Sequence, residues 1–208
     1  MFLAQHADWG VMAERAPELD DVRMRQWTDL VERHTGIVIP EERRAFLGAG
    51  LRSRMQKLRI ADYDSYFRLL AEERGVSEEW SQLVDRLTVH ETAFFRHAPS
   101  LQLLTDEILP AFFARHSAKA TGFQVWSLGC STGEEPYTLA MLIQRYFDQT
   151  GSERLFGITA TDISRPTLQS AREGIYSDRR LAGLAPEFRA RFCTDLGDGR
   201  WQIKESLR

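Results

Sequence analysis

The amino-acid sequence predicts an α/β fold in which a small helical domain precedes a doubly wound α/β domain. Two short apolar runs, Phe123 to Leu128 and Leu155 to Asp162, read as parallel strands because each leads into a helical pattern. Apolar residues at helical spacing between residues 22 and 90 predict the helical domain. A chain of 208 residues has room for one large domain or two small ones.

The helical domain is predicted over residues 22–90, after an N-terminal tail at residues 1–21. We expect four helices in it because its apolar residues recur every three or four positions. Gly36 is expected to end the first helix, and the second helix is expected over about residues 40–58. The buried stripe of that second helix is expected to consist of Leu47, Leu51, Met55 and Leu58.

The α/β domain is predicted over residues 91–208, with a helix at about residues 100–116 leading into its first strand. Gly129 and Gly133 bracket a tight turn after that strand, where backbone can approach a ligand closely. Pro136 suits the first turn of the helix that follows. Free N–H groups at such a helix start favour a nucleotide-binding loop.

The composition of this loop argues against a dinucleotide. Ser131 stands where the dinucleotide fingerprint needs its middle glycine, which admits a pyrophosphate. The carboxylates of Glu134 and Glu135 would repel a pyrophosphate and attract a cation. S-adenosylmethionine carries a sulfonium and an amino group, so it fits the loop better. The alternative is an ordinary strand-to-helix turn without a ligand.

Asp162 ends the second predicted strand. In doubly wound folds an acid at this position accepts hydrogen bonds from the ribose hydroxyls of a nucleotide. Ser164 is expected to cap the next helix, and Pro166 to lie in its first turn. The alternative for Asp162 is an exposed loop acid or a local cap.

Three blocks follow one another along the chain. They are Leu87–Arg96, Gly129–Tyr137, and Ala160–Ile163 with Ala171–Tyr176. In this order they resemble the bacterial chemoreceptor glutamate methyltransferases of the CheR type, from about residue 25 to the end of the chain. His90 stands where that family usually has asparagine, a residue that lies near the cofactor in the family.

The resemblance implies a Rossmann-like domain that binds S-adenosylmethionine and carries a small antiparallel β-subdomain at about residues 174–208. Within it, residues 191–194 are expected to pair with residues 201–204 across a turn at 197–199. The family fold continues with further strands beyond the point where this chain stops. We therefore expect the methyltransferase domain to be incomplete here and the chain to be truncated.

By resemblance, six residues are expected to contact the cofactor: His90, Thr92, Arg96, Gly129, Glu135 and Asp162. Arg96 is also the candidate catalytic residue, because a guanidinium can orient the acceptor carboxylate through a forked contact. A structural salt bridge is the alternative for Arg96. We expect no metal site, since the five histidines show no ligand spacing.

The second helix is basic. Between Arg43 and Ala61 there are six basic residues and no acid. The resemblance implies that this helix docks on glutamate-rich receptor helices, through Arg52, Arg54, Lys57 and Arg59. A solvated helix face without a partner is the alternative.

The resemblance implies a protein-glutamate O-methyltransferase that esterifies glutamates of methyl-accepting chemotaxis receptors in a chemotaxis or motility pathway. S-adenosyl-L-methionine would be consumed and S-adenosyl-L-homocysteine released. The expected partners are the cytoplasmic helices of the receptors. The alternative is a non-catalytic module that binds the cofactor or its product and docks on receptors. A nucleotide-linked oxidoreductase is disfavoured by Ser131.

Composition limits the other partners. A net charge of -3 argues against general affinity for nucleic acid or for an anionic membrane. The sequence has no apolar run of the length that a membrane-spanning helix needs, so we expect no direct membrane insertion. Cys130 and Cys193 lack disulfide or metal spacing, which predicts a reducing, cytoplasmic location.

Overall fold

A computed structural model of the chain describes residues 19–72, 77–116, 122–152 and 154–208. These residues form two compact units that divide between Leu87 and Thr88. The described part of the first unit is helical and the second mixes helices with strands, which confirms the predicted fold class. The expected tail lies outside the described residues as far as residue 18.

The described part of the first unit contains four α-helices, as predicted. They are α1 (Asp21–Thr35), α2 (Arg44–Leu58), α3 (Tyr63–Glu72) and α4 (Glu78–Leu87), with a 3-10 turn at Glu41–Arg43 before α2. Asp20 caps α1 by accepting the backbone N–H of Arg23 at 2.7 Å. Gly36 ends α1 with a left-handed φ of 74°, a conformation that glycine adopts without strain.

Aromatic and aliphatic side chains from all four helices fill the core of the first unit. Its most deeply buried members are Trp27, Val31, Leu47, Leu51, Tyr66, Leu70, Trp80 and Leu83. Helices α2 and α4 approach closely at Gly50, where a Cβ atom would lie 3.1 Å from the Leu87 side chain. The predicted stripe is wrong at Leu58, which is 38% exposed because the chain leaves the helix at Arg59 with a left-handed φ of 59°.

The predicted docking surface is wrong at Arg54. Its side chain is buried inside the first unit, where it forms an ion pair with Glu79 of α4. The hydroxyl of Tyr66 donates a hydrogen bond to the same carboxylate. Arg54 therefore holds the helical unit together and is not available to a partner, whereas Arg52, Lys57 and Arg59 are exposed.

The second unit begins with one long helical run. It comprises α5 (Ala98–Leu103), a π-helical segment (Leu104–Ile108) and α6 (Leu109–Arg115). Pro110 lies just after the π segment and has no backbone N–H, so the regular α-helical hydrogen-bond ladder is interrupted there. This run confirms the helix that was expected at about residues 100–116.

The strands of the α/β unit lie where the apolar runs predicted them. Strand β1 (Phe123–Leu128) pairs in parallel with β2 (Phe156–Thr161), from Phe123 opposite Phe156 to Leu128 opposite Thr161. Helix α7 (Glu134–Thr150) follows β1, and α8 (Arg165–Glu173) follows β2. Ser164 caps α8, as predicted, by accepting the backbone N–H of Thr167.

One face of the parallel pair is covered and the other is open. Leu109, Phe123, Ile143 and Phe147 form the core on the covered face. Trp126 and Leu128 of β1 remain largely exposed. Because the two strands run parallel, their carboxyl ends and the loops after them lie at the same edge of the unit.

A small antiparallel sheet follows α8. Strands β3 (Ile175–Ser177), β4 (Cys193–Gly197) and β5 (Arg200–Ile203) lie in the order β3-β5-β4. The predicted hairpin is confirmed, with Cys193 opposite Ile203 and Thr194 opposite Gln202. It begins at residue 193, and not at 191, because α9 (Pro186–Phe192) occupies the preceding residues.

Within the described ranges, no helix combines the length and the apolar character that crossing a bilayer would need.

Candidate cofactor site

The glycine-bounded loop closes onto the end of β2. The backbone N–H groups of Gly129 and Cys130 both donate to the Thr161 carbonyl, at 2.8 and 2.9 Å. Gly129, Ser131 and Gly133 all have left-handed φ angles. Three such residues within five positions reverse the chain sharply between β1 and α7, which brings the loop beside Asp162.

Asp162 is held by two backbone amides. Ser131 donates its N–H to one carboxylate oxygen at 2.7 Å, and Ser164 donates its N–H to the other at 2.9 Å. Each oxygen keeps a further lone pair, so the carboxylate is fixed in orientation and can still accept hydroxyl donors. The ribose-binding and local-capping interpretations of Asp162 are therefore compatible in this geometry.

The two acids of the loop have different environments. Glu134 is 1% exposed and forms an ion pair with Arg180 at 2.8 Å. Glu135 is exposed and accepts a hydrogen bond from the Ser127 hydroxyl at 2.7 Å. The prediction that both carboxylates would attract a cationic ligand is therefore wrong for Glu134, because Arg180 neutralises it and only Glu135 of the pair is exposed.

The segment before α5 touches this loop through its backbone. The Ser131 hydroxyl lies 3.4 Å from the His90 carbonyl oxygen, to which it donates. The imidazole of His90 forms a hydrogen bond with the Thr88 hydroxyl at 3.0 Å. The segment is also joined to α7, because the Phe95 N–H donates to the Thr138 hydroxyl at 3.2 Å.

Arg96 lies in a strained part of this segment. Its neighbours Phe95 and His97 have left-handed φ angles of 56° and 61°, which residues other than glycine rarely adopt. The exposed guanidinium donates to the Glu91 carbonyl at 2.8 Å. Thr92 is partly buried. The roles of Thr92 and Arg96 towards the cofactor stay predictions.

Both units match protein-family models. Residues 23–88 match the CheR methyltransferase, all-alpha domain, and residues 90–208 match the CheR methyltransferase, SAM binding domain. The chain belongs to the CheR methyltransferase family. The resemblance drawn from the three sequence blocks is thereby confirmed.

Curated relatives point to the same family. The chemotaxis protein methyltransferase of Escherichia coli (strain K12) is 34% identical over 201 residues, which cover 94% of this chain and 65% of that protein. The chemotaxis protein methyltransferase of Borreliella burgdorferi is 30% identical over 180 residues, covering 86% and 63%. Chemotaxis protein methyltransferase 1 of Pseudomonas aeruginosa is 31% identical over 185 residues, covering 86% and 65%. The chain spans a little under two thirds of the length of these three relatives.

The cofactor of this CheR-family chain is S-adenosylmethionine, because the matched domain is a SAM-binding domain. The loop residues fit that cofactor. Glu135 offers an exposed carboxylate to a positively charged group. A Cβ atom on Gly129 would meet nothing within 4 Å, so the space in front of this glycine is open to a ligand.

Cys130 is a structural member of the loop. It is buried, and burial raises the pKa of its thiol, an effect that the nearby Asp162 charge reinforces. The thiol therefore stays protonated at neutral pH and is a poor nucleophile.

A groove of about 840 Å³ runs beside β2, between that strand, α7 and α8. Asp162 is among its lining residues, whereas Gly129 and Glu135 are not. Three of the predicted cofactor contacts therefore lie on the loop (Gly129), in the first turn of α7 (Glu135) and directly after β2 (Asp162). Among the described residues, no group of three or more histidine, cysteine or acidic side chains is placed to hold a metal ion.

Sequence reasoning missed Arg180 at this site. The residue lies in the 3-10 turn after β3, and it reaches back to the loop from 46 positions further along the chain. No local pattern marks it, because its partner becomes its neighbour only when the small antiparallel sheet is in place.

Proposed function

We propose that this chain provides the cofactor site of a methyltransferase that esterifies glutamate side chains of methyl-accepting chemotaxis receptors. The proposal is supported by the family and by the names of the curated relatives. Its main structural support is Asp162, whose carboxylate is oriented by two backbone amides at the end of β2, beside an open glycine loop.

Each loop residue has a proposed task at the cofactor. Asp162 accepts hydrogen bonds from the two ribose hydroxyls through its remaining lone pairs. Glu135 attracts the positive charge of the methionine portion. Gly129 lets the cofactor lie close to the end of β1, since it has no side chain to block the approach.

His90, Thr92 and Arg96 complete the proposed site. The His90 carbonyl accepts the Ser131 hydroxyl, which keeps the segment with Thr92 and Arg96 close to the loop. Arg96 is proposed to release the Glu91 carbonyl and to bind the carboxylate of the acceptor glutamate through a forked contact.

The proposed chemistry needs positioning more than acid–base catalysis. A glutamate side chain has a pKa near 4.3, so it is already an anionic nucleophile at neutral pH. S-adenosylmethionine supplies a methyl group that is activated by the neighbouring sulfonium. The protein residues hold the acceptor carboxylate in line and keep water away from the reacting groups.

The proposed partners are the cytoplasmic, glutamate-rich helices of the receptors, which would place the protein in the cytoplasm. Exposed Arg52, Lys57 and Arg59 of the first unit supply a basic surface for them. Removing a negative charge from the receptor by esterification would then tune its signalling.

Methyl transfer can be tested directly with radiolabelled S-adenosylmethionine and a soluble chemoreceptor fragment. The expected result is base-labile label on the receptor, lost with Asp162→Ala and kept with Asp106→Ala, an exposed acid in the π segment. Cofactor binding without any base-labile label would favour the non-catalytic docking module. Absence of both binding and label, in a chain that melts cooperatively, would contradict the proposed function.

A further inference from the structure

Arg180 ties the small antiparallel sheet to the glycine loop. Its Nη1 atom lies 2.8 Å from Oε1 of Glu134 and donates to the Thr132 hydroxyl oxygen at 2.8 Å. Glu134 is 1% exposed, whereas 44% of the Arg180 side chain is accessible. Arg180 is thus a partly exposed cation that neutralises a buried carboxylate at the start of α7.

Thr132 is the point at which the contacts converge. Its hydroxyl receives the Arg180 hydrogen bond and donates to Oε2 of Glu134 at 2.7 Å. Its carbonyl accepts the Tyr176 hydroxyl of β3 at 2.6 Å. Both the side chain and the backbone of this loop residue are therefore held by residues at, or just after, β3.

The held residue lies between two unusual backbone conformations. Ser131 has a φ of 49° and Gly133 a φ of 96°. A left-handed backbone is unfavourable for residues other than glycine, so Ser131 keeps it only when its surroundings enforce it. The Ser131 N–H is one of the two donors that orient Asp162.

We propose that Arg180 is a positioning residue of the cofactor site, acting through Thr132 and Ser131 on the Asp162 carboxylate. Without Arg180, buried Glu134 would lose the cation that pairs with it, and it would draw water or move outward. The loop would then relax, and the Ser131 N–H would no longer be held against Asp162. The cofactor part of this inference rests on the proposed function, whereas the part about the loop does not.

The loop itself is tested first, by amide hydrogen exchange on the full chain without a ligand. Arg180→Ala is expected to speed exchange at Ser131 about tenfold, while the centre of α7 and the β4-β5 hairpin keep their protection. Arg180→Lys restores a cation beside Glu134 and is expected to recover part of the protection. Arg179→Ala removes an equal charge at an exposed neighbouring position and is the matched control.

Two results would overturn the proposal that Arg180 holds the loop. One is unchanged Ser131 exchange in both Arg180→Ala and Thr132→Val, which keeps the ion pair but removes the hydroxyl. The other is an equal loss of protection throughout the second unit, which would make Arg180 a general structural residue. Thr132→Val also keeps the test decisive if Arg180→Ala does not fold.

Calorimetric titration with S-adenosylhomocysteine then tests the connection to the cofactor. Arg180→Ala is expected to raise the dissociation constant about tenfold, with recovery in Arg180→Lys and no change in Arg179→Ala. Equal affinity of Arg180→Ala and the parent would overturn the positioning role. If the parent fails to bind while Arg180→Ala still loosens Ser131, the proposed function fails and the loop-holding role of Arg180 stands.

Discussion

Arg54 and Glu79 form a bidentate ion pair inside the helical unit, although they are 25 residues apart in the chain. The guanidinium Nε and Nη2 atoms donate to the two carboxylate oxygens at 3.0 and 2.5 Å. Tyr66 adds its hydroxyl at 2.6 Å. The buried carboxylate therefore has an opposite charge and three hydrogen-bond donors. Removal of Arg54 would leave this carboxylate buried without its opposite charge, which is strongly destabilising.

Replacement of Arg54 is expected to destabilise the first unit strongly. Arg54→Met should lower the free energy of unfolding by about 3 kcal/mol, because it leaves Glu79 buried without a counter-charge. Urea denaturation of the full chain measures this difference. Arg52→Met is the control, since Arg52 is exposed on the same helix and should change stability by less than about 0.5 kcal/mol. Equal effects of the two substitutions would contradict the buried pair.

The hydroxyl of Tyr66 is expected to make stability depend on pH in the alkaline range. Burial raises the pKa of this phenol, and the hydrogen bond to Glu79 raises it further. Its stabilising contribution is therefore complete below pH 10, the ordinary pKa of tyrosine, and declines as pH rises towards the higher folded value.

The comparison of Tyr66→Phe with the parent isolates that contribution. At neutral pH the variant should be less stable by about 1.5 kcal/mol, because a hydrogen bond to a charged partner is lost. The difference should stay constant up to about pH 9 and shrink above pH 10. A difference that grows with alkaline pH would contradict the assigned direction of the pKa shift. Denaturant titrations at several pH values provide the measurement.

Features with a local cause could be predicted from the sequence. The bounds of β1, the end of α1 at Gly36 and the cap at Ser164 each depend on residues within a few positions of one another. The burial of Arg54 depends on Glu79 and Tyr66 from other helices, so the sequence of α2 alone does not predict it. Strand β3 has three residues, too few to show an alternating pattern.

The candidate site likewise has features that the local sequence predicts and features that depend on distant residues. Gly129 follows the first predicted strand and Asp162 ends the second, and parallel pairing places the ends of neighbouring strands together. The different environments of Glu134 and Glu135 could not be predicted, because Arg180 reaches the loop only through the folded β insertion.

Gly133 is expected to tolerate no side chain. Its φ is 96°, and a Cβ atom would lie 2.8 Å from the Tyr176 hydroxyl and 3.0 Å from the Ala171 Cβ. Gly133→Ala should therefore cost about 2 kcal/mol or more in unfolding free energy. Gly151→Ala at the other end of α7 is the control, since φ is 62° and the position is open. A thermal melt in which both variants lose the same stability would contradict the steric part of this prediction.

The basic surface is expected to contribute to receptor docking. Arg52→Glu combined with Lys57→Glu should weaken binding of a soluble chemoreceptor fragment about fivefold or more, and the loss should shrink as salt increases. Arg25→Glu, an exposed charge reversal on α1, is the control. Surface plasmon resonance at two salt concentrations provides the measurement. Unchanged affinity in the double variant would leave these residues as a solvated helix face.

Calorimetric titration of the full chain with S-adenosylhomocysteine, alongside Asp162→Ala and Asp106→Ala, tests whether Asp162 is part of a cofactor site. We expect binding in the micromolar range for the parent and for Asp106→Ala. We expect affinity to fall at least about tenfold for Asp162→Ala, because the ribose loses its acceptor. A parent chain that melts cooperatively and yet binds no S-adenosylhomocysteine would contradict the proposed cofactor site, and an Asp162→Ala variant that binds as tightly as the parent would contradict the proposed role of Asp162.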